Sequence, residues 1–257
     1  MRFVFKTVLM IGFILSCLLA VSDEHTLSGE YGSIGAMNYL TGRFNPRSSS
    51  LFVKLSDLDI PVDGREHYLR KEAAESLSRL IKDFKKDNPK MPVWVTSSTR
   101  SFYDQKAIWE AKWNGERLVD GKKLSEYKKD PMERALIILK FSSMPGSSRH
   151  HWGTDLDFNL LTNTYYETGP GKTFYSWMSV NASRFGFHQP YTKNRGKGYE
   201  EEKWHWSYTP LSKKFLKDWN ELFGSMNFSK GKDSFAGAET AWKLAYEYAN
   251  SVNDECR

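Results

Sequence analysis

Between residues 68 and 84 apolar side chains recur every three or four positions (Leu69, Ala73, Leu77, Leu80, Ile81, Phe84) with charges between them. That spacing predicts an amphipathic helix with one face turned to a core, and Asp87-Asn88-Pro89 ends it. The period then changes. Residues 92–97, Pro-Val-Trp-Val-Thr-Ser, read as a buried strand that runs into Ser98-Thr99-Arg100-Ser101 and a second helix over 102–113. Pro131 suits the first turn of a third helix. Residues 154–160 suit a strand, 175–185 a helix stopped by Gly186, and Trp204-His205-Trp206 another strand. Further helices are expected at 212–223 and 238–252, joined by a linker at 224–237. Residues 23–66 hold no sustained period and predict an irregular wrap with one short strand near 51–55. Residues 114–130 are polar and lysine-rich, a surface insertion. Helices mixed with short, non-adjacent strands predict an α+β fold.

One apolar run does not belong to that pattern. Arg2 and Lys6 precede Val8 to Ala20, and polar residues begin at Ser22. A short basic start, 7–15 apolar residues and a small-residue end describe a secretory signal peptide, here over residues 1–22. The run is too short for the roughly 20 apolar residues that span a bilayer. Ile14-Leu15-Ser16-Cys17 is a weaker match to a lipid-attachment site.

Composition narrows the picture only slightly. The 257 residues are 40% hydrophobic and 15% aromatic, enough for a full core in one domain with insertions. Arg2 and Lys6 account for two units of the net charge of +6, so the mature chain stays mildly basic at +4. No Lys/Arg run is dense enough to expect nucleic acid, and attraction to an anionic cell envelope fits better. Cys17 and Cys256 are the two cysteines, so no internal disulfide framework is expected.

The chemistry concentrates in Ser147-Ser148-Arg149-His150-His151-Trp152-Gly153-Thr154-Asp155-Leu156-Asp157. Two imidazoles and two carboxylates so close together favour a divalent metal, zinc first. His150 and Asp157 lie seven apart, and a turn at Gly153 followed by a strand brings them together. Asp155 and Asp157 share a strand face, so spacing alone does not choose between them. A catalytic zinc takes three protein ligands, and His205, in Glu202-Lys203-Trp204-His205-Trp206, is the candidate third. Strict alternation points Glu202 away from His205, so a bend at the strand start is required to unite them. Arg100, at the mouth of a predicted strand, suits a carboxylate or a developing oxyanion.

Ser148-x-His150-x-x-Gly153-x-x-x-Asp157, followed 45 residues later by Glu202-x-Trp204-His205, resembles the zinc D-alanyl-D-alanine carboxypeptidases of the VanY type. Their group includes D-Ala-D-Ala dipeptidases, L-alanyl-D-glutamate endolysins and hedgehog-like domains. The family pattern Ser-x-His-x-x-Gly-x-Ala-x-Asp is matched except at its alanine, which is Asp155 here. Ser98-Thr99-Arg100-Ser101 with Gln105 resembles a second family segment. The resemblance implies a small mixed or antiparallel sheet flanked by helices, with the zinc site in a groove across the sheet. It implies one catalytic Zn2+ on His150, Asp157 and His205, Glu202 as general base and Arg100 stabilising the transition state. Ser148 and Gln105 would hold substrate. The implied substrates are peptidoglycan stem peptides ending in D-Ala-D-Ala.

These readings divide the chain into a signal peptide (1–22), the N-terminal wrap (23–66), the zinc peptidase domain (67–224) and a linker with a C-terminal helix (225–257). An extracytoplasmic monomer that removes the terminal D-Ala is expected. A peptidoglycan endopeptidase, cutting cross-links or L-Ala-D-Glu bonds, and a non-catalytic zinc-stabilised wall-binding module are the competing readings.

Overall fold

In the computed structural model, which describes residues 29–127, 130–228, 230–231 and 233–257, two small antiparallel sheets are flanked by helices in a mixed α+β arrangement. The signal-peptide stretch and Cys17 lie outside the described residues. Strands β1 (Phe52–Lys54) and β2 (Tyr68–Arg70) form one sheet. Helix α1 (Lys71–Asp87) follows directly. Strand β3 (Val95–Ser97) leads to α2 (Phe102–Trp113), then α3 (Pro131–Ile138), β4 (Asp155–Phe158), α4 (Gly169–Asn181), β5 (Phe187–His188), β6 (His205–Tyr208) and α5 (Thr209–Leu222). The second sheet has the order β3-β4-β6-β5.

The central pair of strands explains the layout. In β4 and β6 successive side chains point to opposite faces. Leu156 and Phe158 with Trp206 go to the core, where Val95, Leu77, Leu80, Phe84 and Phe174 meet them. Helices α1 and α4 supply that cover. Each fully buried Leu or Phe contributes about 1.5–3 kcal/mol, which holds the strands in register. The register sets Asp157 opposite His205 and Asp155 opposite Ser207. The opposite sheet face therefore carries the polar residues.

Helix α2 starts where it does because Ser101 and Asp104 form a capping box: the Ser101 hydroxyl accepts from Asp104 N at 3.1 Å, and Asp104 Oδ2 accepts from Ser101 N at 2.9 Å. Arg100 is thereby fixed at the strand–helix junction. A one-turn 3-10 helix, Arg149–Trp152, ends at Gly153 in the left-handed region (φ 70°) and turns the chain into β4. The N-terminal wrap ties this turn down. Tyr39 Oη donates to Trp152 O at 2.7 Å, and Trp152 Nε1 donates to Leu40 O at 3.1 Å.

Three expectations shift. The predicted helix at 68–84 begins only at Lys71, because Tyr68–Arg70 pairs with β1 and satisfies that strand's backbone. The helix expected at 238–252 breaks into Ala238–Ala241, a 3-10 turn at Trp242–Leu244, and Ala245–Asn250. Its aromatic residues wrap around α5 instead of forming one straight face: Trp242 packs on Trp219 and Phe223. The expected linker at 224–237 also contributes to the core through buried Phe228 and Phe235, and Trp109 Nε1 donates to Ala236 O at 2.9 Å. Cys256 is buried, with its thiol pushed up to about 12, chiefly by that burial.

A Cβ at Gly153 would meet Phe52 Cε1 at 2.4 Å, in a backbone conformation that L residues disfavour. Gly153→Ala is expected to lower stability by about 2–4 kcal/mol, from left-handed strain and overpacking together. Urea unfolding checks this, and a loss below about 0.5 kcal/mol would contradict it.

Candidate metal centre

His150, Asp157 and His205 each offer one donor atom, and these atoms all lie within 4.8 Å of one another. His150 arrives on the 3-10 turn, Asp157 on β4 and His205 at the first position of β6. All three are at least 95% buried. His150 Nδ1–H donates to the Ser98 carbonyl at 2.9 Å, leaving Nε2 turned to Asp157 Oδ2 at 3.4 Å. His205 is reversed: Nε2–H donates to Asp155 Oδ2 at 3.0 Å, and Nδ1 faces Asp157 Oδ1 at 3.2 Å.

Both rings thus have one nitrogen satisfied by a carbonyl or carboxylate and a second turned to the same point. Asp157 Oδ1 is buried with no hydrogen-bond partner among the described residues. Tetrahedral zinc holds its donors roughly 3.3 Å apart, given bonds near 2.0 Å, and each imidazole nitrogen lies at about that distance from one oxygen of Asp157, 3.4 Å from Oδ2 and 3.2 Å from Oδ1. The neighbouring His151 is excluded as a ligand. Its Nδ1–H donates to Arg100 O at 2.8 Å and its Nε2 accepts from Gly146 N at 3.0 Å, so both nitrogens are spent on backbone.

Asp155, which spacing left level with Asp157, sits behind His205. Its Oδ2 accepts from Arg149 Nε at 2.8 Å as well as from His205, and its Oδ1 accepts from Ser207 Oγ and Thr154 Oγ1, both at 2.8 Å. Arg149 Nη2 donates to Ser207 Oγ at 2.7 Å. This is a fully buried ion pair with its hydrogen bonds largely closed, the condition under which burying two charges is tolerable. A carboxylate behind a ligating histidine fixes the tautomer and ring orientation. Arg149 gave little sign of this in sequence, since its partners are a neighbour six residues on and a serine on another strand.

The bend expected before β6 is present. His205 N donates to Glu202 O at 3.2 Å, and the tight turn brings Glu202 Oε2 within 3.2 Å of His205 Nδ1. Burial raises the Glu202 pKa; His205 and Arg100 oppose this, and the net direction is upward. Burial likewise opposes ionisation of Asp157, but His150 and His205 outweigh it and hold the carboxyl well below its usual range. Burial and Arg100 lower His150. For His205, burial is outweighed by Asp155, Asp157 and Glu202, which hold it well above an ordinary histidine. Asp157 and Glu202, both beside His205 Nδ1, make the site suited to a cation.

Arg100 lines the same groove of about 1070 Å³ as His150, Asp157, Glu202 and His205. No carboxylate lies within 4 Å of its guanidinium among the described residues, and its Nε lacks a partner. Ser148 and Gln105 are placed differently. Both are fully buried and neither lines the groove. Gln105 Nε2 donates to Ser143 O at 2.7 Å, supporting the groove wall from behind, and the Ser148 hydroxyl has no partner among the described residues. Tyr191, whose ring centroid lies 4.9 Å from that of His205, was missed by sequence reasoning because it sits on an irregular segment without a pattern.

A family model described as D-alanyl-D-alanine carboxypeptidase, VanY, matches residues 66–211. The carboxypeptidase homologue YodJ of Bacillus subtilis (strain 168) is 28% identical over 204 residues, which is 75% of this chain and 64% of that protein's length. The LdcB LD-carboxypeptidase structure is 22% identical with a TM-score of 0.47, covering 72% of this chain and 81% of its own. VanYB in complex with D-alanine-D-alanine is 20% identical with a TM-score of 0.42, covering 65% and 89%.

Asp155→Asn is expected to weaken zinc affinity about 10- to 100-fold, the usual cost of losing the group behind a ligating histidine. Competition against a zinc-chelating indicator measures it. Unchanged affinity in a folded variant would contradict the assignment.

Proposed function

We propose that this chain, which belongs to the VanY family of D-alanyl-D-alanine carboxypeptidases, is an exported zinc peptidase that removes the terminal D-Ala from peptidoglycan stem peptides. The observation that carries the reading is the convergence of two imidazole nitrogens and a carboxylate on one point, with Glu202 beside them and Arg100 in the same groove. Zinc, when bound, would supply a Lewis acid that polarises a carbonyl and lowers the pKa of water toward ~7.

The chain's own groups do the rest. Glu202, its pKa raised by burial, is suited to take a proton from the attacking water and return it to the leaving amine. Arg100 brings an unpaired guanidinium to the groove, where it can stabilise negative charge growing on the scissile carbonyl oxygen. Ser98 O and Asp155 keep the rings of His150 and His205 in their ligating tautomers. The sheet and the apolar residues packed behind it hold the strands that carry Asp157 and His205 in register.

Among the described residues no helix is long and apolar enough to cross a membrane. The basic and apolar N-terminal stretch, read as a signal peptide, supports action outside the cytoplasm, where peptidoglycan is found.

Glu202→Ala is expected to lower hydrolysis about 10²- to 10⁴-fold, the contribution of a general base, while zinc stays bound. Mass analysis of digested muropeptides should show loss of one alanine; chelation should abolish it and added zinc restore it. Release of longer peptides would favour the endopeptidase reading, and no turnover by the zinc-loaded protein would favour a binding module.

A further inference from the structure

We infer that Lys112, with Ser142, forms a carboxylate-binding subsite that holds the free C-terminal carboxylate of the peptide substrate. The inference rests on the carboxypeptidase reading above and adds the element that would make the cut terminal.

Lys112 stands in the last turn of α2 and lines the groove together with Ser142, Arg100 and Glu202. Its ammonium donates to the Ser142 hydroxyl. Among the described residues no carboxylate lies within 4 Å of it, whereas Lys106 on the same helix pairs with Glu110 at 2.6 Å. The other cations of the groove are accounted for. Arg65 is tied to Asp63 at 2.6 Å and to Thr96 O at 2.7 Å, and Arg117 is exposed at the rim. Among the described residues lining the groove, Arg100 and Lys112 are the two partly buried cations left without an ion pair.

Desolvated cations are costly until an anion compensates them. Burial, with Arg117 and Arg100 nearby, brings the Lys112 ammonium down to about 8, so it stays mainly charged at neutral pH while gaining much from an anionic neighbour. The Ser142 oxygen accepts from Lys112, which frees its own O–H to donate. The pair therefore presents two donors, one of them charged, to a single carboxylate. Two unpaired cations also match two separate demands. The oxyanion exists only as the reaction proceeds and falls to Arg100, whose guanidinium feels both Asp157 and Glu202 of the metal site. A terminal carboxylate is present from first binding and falls to Lys112. An internal peptide bond offers no such anion.

The test uses the zinc-loaded full chain carrying Glu202→Ala, so that peptide is bound and not cleaved. Calorimetry compares N-acetylated Lys-D-Ala-D-Ala as the free acid with its C-terminal amide. The acid should bind about tenfold or more tightly than the amide, as expected for a charge-assisted contact. Adding Lys112→Met should bring the two within about twofold, and Lys112→Arg should restore part of the difference. Thermal unfolding checks that each variant is folded; should Lys112→Met not fold, Ser142→Ala should narrow the ratio about threefold by removing one donor. An acid-to-amide ratio unchanged by these substitutions, or equal binding of acid and amide by the parent, overturns the subsite. Failure of the carboxypeptidase reading is seen separately, in the wild-type enzyme releasing a longer peptide instead of D-alanine.

Discussion

The pairing of β4 with β6 is the constraint on which the site depends. It sets Asp157 opposite His205 and Asp155 opposite Ser207 on one face, with Leu156, Phe158 and Trp206 turned to the core on the other. A slip of one residue would exchange the faces, burying two carboxylates in hydrocarbon and exposing the aromatic rings. Hydrophobic burial behind the sheet therefore fixes the polar geometry in front of it.

That polar face concentrates ionisable groups where water is largely excluded. Such a cluster is tolerable only if its charges are paired. Arg149 neutralises Asp155, which also accepts from His205, Ser207 and Thr154. Asp157 and Glu202 remain around His205 Nδ1, and a divalent cation is the natural complement to them. The layers are coupled: Arg149 holds Asp155, Asp155 orients His205, and His205 presents its free nitrogen beside Asp157. In the same groove Arg100 and Lys112 have no carboxylate within 4 Å among the described residues. In the proposed reaction the peptide's terminal carboxylate, present from binding, and the oxyanion that develops during the cut would meet these two cations.

The segments at either end of the chain serve the same geometry. Tyr39 and Leu40 grip Trp152, which closes the turn that carries His150. Trp219 Nε1 donates to Gly146 O at 2.9 Å, and Phe228 lies against Gly146, so α5 and the C-terminal segment brace the start of the same loop. The stretch expected to be a linker is thus part of the support for the metal-site turn.

The sequence by itself determined the α+β class, most helices, the strands at their centres, and the two segments that come together. Those features follow from local periodicity, from Pro and Gly punctuation, and from donor types at close spacing. It did not separate β2 from the helix after it, because Leu69 satisfies a helical period and a strand partner equally well. It also could not rank Asp155 against Asp157, nor His150 against His151, on spacing alone. The family resemblance supplied a ranking; the tertiary structure gives the physical reason for it. His151 is used up by the carbonyl of Arg100 and the amide of Gly146, and Asp155 by Arg149 and Ser207, partners distant in sequence or hidden in the backbone. Which nitrogen of each histidine is free, and which cation of the groove is unpaired, depends on contacts across strands, and no local pattern encodes them.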